Sequence, residues 1–553
     1  MPGSRARGRP SESIALPETR FTRQHLDGAI GWLLRSNRLL GQSEDLRGLT
    51  RFAAALPTAM SPSTPPFAAS TVSRWETGAQ SVPYAAVVRY ERLLELTPSL
   101  LVATVDLLHR HFTEPLRKEP ALDRRLGPPG PDDHAALAET VERVHDGRPV
   151  SGREWDTFTA AMCAAPQVLF ARPDTAEEVS RRLLAEMIVA DDLAWMLRYE
   201  ALVRLLMHPA YAAAAIDACA TIARDPTNQV FLETISTLDS SAHPDAAKYV
   251  LELLQDPTTE RAFLGALLAC VRKARLGHFT PDQARALGRI VAGVIGDREA
   301  EDSNRRLAVR ILALLRSNPA SRAAVSRFPL PKGPSLPKVS TEAMQAGNAL
   351  MTDLRGAVAR HGLGSPRLVD KTLPSLLRAA VLDPVPDQRL FLSMLLRASP
   401  YRAAVAQTCT ERLVAPGGED LRPALLSLVR VNGGPDQTAQ LRSLILDVDV
   451  DAGLRADAAR TLGHLRDPND EGFFERALAE YGVGAPSADA PESASLLTGL
   501  VYSLGIGGHL TAIAALPTER LPEPTRQAVG WWLGLPPEVI ASVQPPTETD
   551  PRV

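Results

Sequence analysis

Apolar residues recur at helical spacing along most of the chain. Leu26, Ile30, Leu33, Leu34 and Leu40 fall on one face of a first helix. Gly41-Gln-Ser43 stops it, and Ser43 is placed to cap a second helix over 46–56. Ala69-Ser-Thr-Val-Ser-Arg-Trp-Glu-Thr-Gly78 reads as a third helix. There Val72 and Trp75, three apart, can pack inward together, while Ser70, Ser73 and Arg74 project outward. Gly78 ends that helix without the penalty of a Cβ. A fourth helix follows over 85–96. From about residue 133 to 535 the text stays helical, with Ala/Leu/Arg-rich segments broken by Asp-Pro, Asn-Pro, Ser-Pro and Gly-Gly. Alternating Val, Ile and Thr runs are almost absent, so the pattern predicts an all-α protein.

Breaks in this pattern suggest an organisation. Residues 1–25 form a polar, basic tail expected to be disordered, and 26–118 form a helical head. A Pro/Gly-rich linker spans 119–133. A helical body follows in two parts, 134–330 and 339–535, separated by a Pro-rich break at 331–338. Residues 536–553 read as a polar tail. The body repeats itself: Leu314-Leu-Arg-Ser-Asn-Pro319 echoes Leu395-Leu-Arg-Ala-Ser-Pro400, and more weakly Leu205-Leu-Met-His-Pro209. Within 451–468, Ala458, Ala459, Leu462 and Leu465 share one face behind an Asp451 cap. One such unit cannot bury its stripe alone, so stacked neighbours are required.

Composition narrows the function. The chain has 553 residues, ample for several domains and a core without staples. Its net charge of −3 excludes a globally basic coat. The charge is uneven: residues 1–118 hold 15 basic and 10 acidic side chains, so the head is positive and the remainder negative. A basic head on an acidic body points to a polyanion partner for the head. No apolar run is long enough for a membrane helix and no signal peptide is evident, so a cytoplasmic protein with no membrane partner is expected. Cys163, Cys219, Cys270 and Cys409 lie far apart with no CxxC pair, as buried thiols do; no metal site and no cofactor are expected.

No motif of an enzyme is present: no GxxxxGK[ST], HExxH or GxSxG. Ser335 and Lys338 have SxxK spacing but sit in the Pro-rich break. Gly505, Gly507 and Gly508 form a lone glycine cluster. His208, His243 and His464 occur singly, Asp191-Asp192 reads as a helix start, and Trp531-Trp532 as the cover of the body's end. No catalytic residue is assigned and no enzyme is expected.

The third-helix string carries a resemblance. Thr71, Val72, Ser73, Arg74, Trp75, Glu76 and Gly78 match the third helix of the Cro/repressor-type (Xre) helix-turn-helix family, and Gly41 and Ser43 match the start of its second helix. The match covers about residues 26–112. It implies a helix-turn-helix domain whose third helix reads double-stranded DNA. On that reading Ala69, Ser70, Thr71, Ser73 and Arg74 face DNA, with Val72, Trp75 and Gly78 as the structural core. Arg35, Arg38, Arg47 and Arg51 are candidates for backbone contacts. The 57–66 stretch, with four prolines, departs from the tight turn usual between the second and third helices. The 451–468 unit resembles a HEAT-repeat second helix, which implies a long HEAT-like α-solenoid. The expected function is a DNA-binding transcriptional regulator whose body senses or docks a peptide or protein partner, with a homodimer as one option for assembly. The rival is a protein-interaction scaffold whose head serves docking or dimerisation.

Overall fold

Helices carry the described chain throughout. The computed structural model describes residues 21–56, 67–112, 131–164, 174–230, 234–330, 339–363, 370–383, 385–415, 419–467, 471–481 and 491–542. Among these it holds 28 α-helices, short 3-10 turns and no strand, an all-α fold. Local chemistry sets many of the helix starts. Thr259, Ser340 and Asp451 accept from the backbone N–H three residues on, and Pro244, Pro281, Pro319 and Pro386 occupy first-turn positions whose N–H would be unpaired anyway. No helix among the described residues is long and apolar enough to cross a membrane.

The chain divides into two compact units, neither continuous in sequence: 1–113 with 339–441, and 114–338 with 442–553. The division differs from a head followed by a body in two parts, 134–330 and 339–535. Helices of 339–441 belong with the N-terminal helices rather than with their sequence neighbours.

In the first unit α1 (Leu26–Leu40), α2 (Leu49–Ala55), α3 (Ala69–Glu76), α4 (Tyr84–Leu93) and α5 (Leu100–Phe112) form the head. Gly48 interrupts the expected second helix, leaving a 3-10 turn at Glu44–Arg47 and a shorter α2. Ser43 makes no side-chain cap there. The head is not self-sufficient. α1 buries residues all round, including Trp32, Ser36 and Asn37 outside its leucine stripe, and α5 is buried from Leu101 to Phe112. Their second faces meet 370–401. The Trp32 ring stacks on Tyr401 at 6.0 Å, and its Nε1 donates to Asp370 Oδ2 at 2.8 Å. Asn37 Nδ2 donates to the Ala398 carbonyl at 3.0 Å, and His111 lies against Phe391 at 4.4 Å. The tail expected at 1–25 is ordered where it is described. Phe21 is 1% exposed, packs on Phe112, and its N–H donates to Asp383 Oδ2. An aromatic residue buried between two helices cannot stay in a disordered tail.

In the second unit the two sequence segments are tied by buried charge. Glu186, with no exposed surface, accepts from Trp155 Nε1 at 2.7 Å, from Arg182 Nε at 2.7 Å and from Arg198 at 3.2 Å. Arg182 pairs with Glu538, and Arg198 also donates to the Ser542 carbonyl. The expected tail at 536–553 therefore contains a docked helix, Pro537–Ala541, with Val539 and Ile540 buried. His464 takes Asp191 on Nδ1 at 2.9 Å and Tyr502 on Nε2 at 3.1 Å, which ties the two segments again. In the 452–462 helix and its 3-10 end, Ala458, Ala459, Leu462 and Leu465 are all buried, as the periodicity predicts. Gly505 makes room for the Trp532 indole, which is buried, while Trp531 is half-buried. The expected linker at 119–133 lies outside the described residues up to 130, and a helix begins at Pro131. The break at 331–338, including Ser335 and Lys338, lies outside them as well.

Candidate nucleic-acid interface

α3 is a short helix with two unlike faces. Val72 and Trp75 have almost no exposure, and Phe67 meets Trp75 edge-on at 5.2 Å. Ser70, Arg74 and Thr77 are exposed; Ala69, Thr71 and Ser73 are half-buried. The Arg74 side chain has no hydrogen bond or ion pair among the described residues, so its guanidinium is available to a ligand. The α3 end is set by backbone proximity. Gly78 has φ +70°, and its N–H donates to the Trp75 carbonyl at 3.1 Å. A Cβ on Gly31 of α1 would lie 2.5 Å from the Trp75 carbonyl oxygen. Glycine at 31 therefore lets α1 and α3 touch through their backbones. The sequence reading missed this contact, although Gly28 and Gly31, three apart in an otherwise leucine-rich helix, were its visible sign.

The four other arginines separate by environment. Arg38 is 4% exposed and holds Glu76 through two parallel bonds, Nε to Oε1 at 2.7 Å and Nη2 to Oε2 at 2.6 Å. Its Nη1 donates to the Arg47 carbonyl, and the guanidinium lies over the Phe52 ring. Tyr90 donates to Glu76 Oε1 at 3.1 Å; burial, then the Glu76 charge, pushes the Tyr90 phenol far above its ordinary pKa. Arg38 thus clamps α1 to α3 and is corrected from a backbone contact to a core residue. Arg35 is half-buried on the side of α1 that meets Tyr401, where its charge opposes the upward shift that burial and Asp370 impose on that phenol. Arg47 and Arg51 are exposed and pair with Glu44 at 3.1 Å and Asp45 at 2.6 Å. Such exposed pairs are weak and can exchange for phosphate. The four-proline segment 57–66 lies outside the described residues.

No group of three or more His, Cys, Asp or Glu side chains among the described residues is placed to hold a metal. Cys219 and Cys409 are buried, and burial pushes both thiols up to about 12, which makes them inert. No protein-family model matches the chain, and comparison with curated proteins gives no match.

Proposed function

We propose that the protein is a sequence-specific DNA-binding transcriptional regulator, with α3 entering the major groove of double-stranded DNA. The observation that carries this reading is the division of α3. Its apolar face is fixed by Trp75 and by the Glu76–Arg38 clamp, and its other face presents an uncommitted Arg74 beside Ser70. A groove about 12 Å wide admits such a helix, and a free guanidinium can fork onto guanine or phosphate. The positive balance of residues 1–118 supports the same reading. The helical body is read as a HEAT-like α-solenoid that senses or docks a partner; the buried stripe at 458–465 supports stacking of that kind.

Selection of bound fragments from a randomised DNA pool by the full chain tests the reading. Enrichment of one motif, with affinity falling steeply as salt rises, is the expected result. Retention of DNA without any enriched motif, or no retention, removes it. That outcome favours a scaffold, because α1 and α5 already use one face to hold residues 370–401.

A further inference from the structure

The densest positive charge lies outside the head. Residues 272–327, in the second unit, hold 12 basic side chains against 5 acidic ones, although residues 119–553 as a whole are negative. Part of this charge is spent internally. Arg272 pairs with Asp239, and Lys273 is buried on the Leu238 and Ser241 carbonyls. Around 297–306 the arginines are matched by Asp297, Glu299, Glu301 and Asp302. The surplus stays on the face made by the Pro281–Gly296 and Pro319–Val325 helices. Phe328 joins them: a Cβ on Gly288 would lie 2.6 Å from its ring. Arg289 follows Gly288, Arg285 precedes it by one turn, and both are exposed. Arg327 lies over the Phe328 ring at 5.0 Å. Arg316 Nη2 donates to the Ser326 carbonyl at 3.1 Å and to that of Phe328, and Arg322 Nε donates to the Arg316 carbonyl at 3.0 Å. Five arginines thus converge on one stretch of surface. The acid beside them, Asp282, pairs with Arg285 at 2.5 Å. Arg289, Arg316, Arg322 and Arg327 have no carboxylate partner among the described residues. Carbonyl bonds orient Arg316 and Arg322 without cancelling their charge.

Between these arginines the exposed residues are small, among them Gly293, Ala320 and Ala323. They offer little grip on the side chains of a protein partner, yet they let a stiff polyanion lie close to the guanidinium groups. We infer that this face binds the phosphate backbone of double-stranded nucleic acid without regard to sequence. Guanidinium forks match phosphate oxygens in pairs, which a lysine surface would not do. Neutralising several phosphates also releases their counterions, so the contact gains strength at low salt. This second contact is separate from α3 and does not rest on reading α3 as a recognition helix.

Fluorescence anisotropy of the full chain with a labelled duplex of random sequence tests this. Saturable binding at low salt is expected. The Arg285→Gln, Arg289→Gln, Arg327→Gln variant should bind about tenfold more weakly, with a salt slope lower by about two to three. The Arg285→Lys, Arg289→Lys, Arg327→Lys variant should keep the slope, because lysine retains the charge. All three side chains are exposed and none is the bonded pair Arg316 and Arg322, so an unchanged melting curve verifies that both variants are folded. Failure of the DNA selection described above to enrich a motif would remove the α3 reading and leave this result standing. No binding of the duplex, or equal affinity and slope in the glutamine variant, overturns the proposal. Stronger competition by poly-glutamate than by unlabelled duplex also overturns it, by assigning the face to an acidic protein segment.

Discussion

Arg38 and Arg74 were both candidate DNA contacts, yet one faces Glu76 and the other faces solvent. Nothing near Arg38 in the sequence announces Glu76, which lies 38 positions away. Helical phase placed Arg74 outward correctly because Val72 and Trp75 fix the phase of α3. Arg74→Ala in the full chain should leave the fold intact. If it reads guanine, specific affinity falls by ~1–3 kcal/mol and one base preference relaxes; if it touches phosphate, the salt slope falls by about one. Arg38→Ala should instead cost about 3–5 kcal/mol, since it strands the Glu76 carboxylate in the core. Thermal melting separates the two variants, and equal melting curves would refute the environments assigned here. A further residue-scale effect concerns pH. Burial, helped by the Lys273 charge, pushes His278 down to about 4 from an ordinary 6.5. Between those values the unfolded chain binds a proton that the folded chain refuses, so His278 lowers stability as pH falls from 6.5 towards 4. Denaturant titrations should show the native chain losing stability relative to His278→Gln as pH falls through that window; a constant difference would show that His278 titrates normally.

At the scale of elements, most helices were legible because their apolar faces and their Pro, Asp, Ser and Thr starts agree. The 452–462 helix is the clearest instance: Asp451 caps it, and its stripe is buried as the spacing requires. Ala459→Asp should cost several kcal/mol or open the contact with the 491–506 helix, seen as lost protection in hydrogen exchange. α1 was only half legible. Its leucines gave one face, but Trp32, Ser36 and Asn37 look like solvent-side residues until their partners near 370–401 are known. Trp32→Ala should cost about 3–5 kcal/mol, as large core aromatics do when truncated. Gly31→Val should do different damage, driving α3 from α1 and lowering DNA affinity even where the chain stays folded. Unchanged DNA binding by a folded Gly31→Val chain would argue against α3 as the docking element.

At the scale of the molecule, the sequence suggested beads in order, whereas each unit is assembled from two separated stretches. Periodicity reports which face of a helix is apolar but not which distant helix covers it. The division also means that residues 1–118 should not behave as a free domain. Made alone, they would expose the Trp32 and α5 faces, and should melt earlier and less cooperatively than the same helices in the full chain. A fragment with full cooperativity would show that the contacts with 370–401 add little.

The stacking of Trp32 on Tyr401 has a consequence for synthesis. The ribosome finishes α5 well before it makes the helices that cover it, about 260 to 290 residues later. At roughly 5–20 residues per second this leaves an apolar face uncovered for on the order of 10–60 s. The nascent head should therefore need protection by holding chaperones. Chains arrested near residue 330 should be cut readily within α1 by protease, while chains arrested beyond residue 480 should resist.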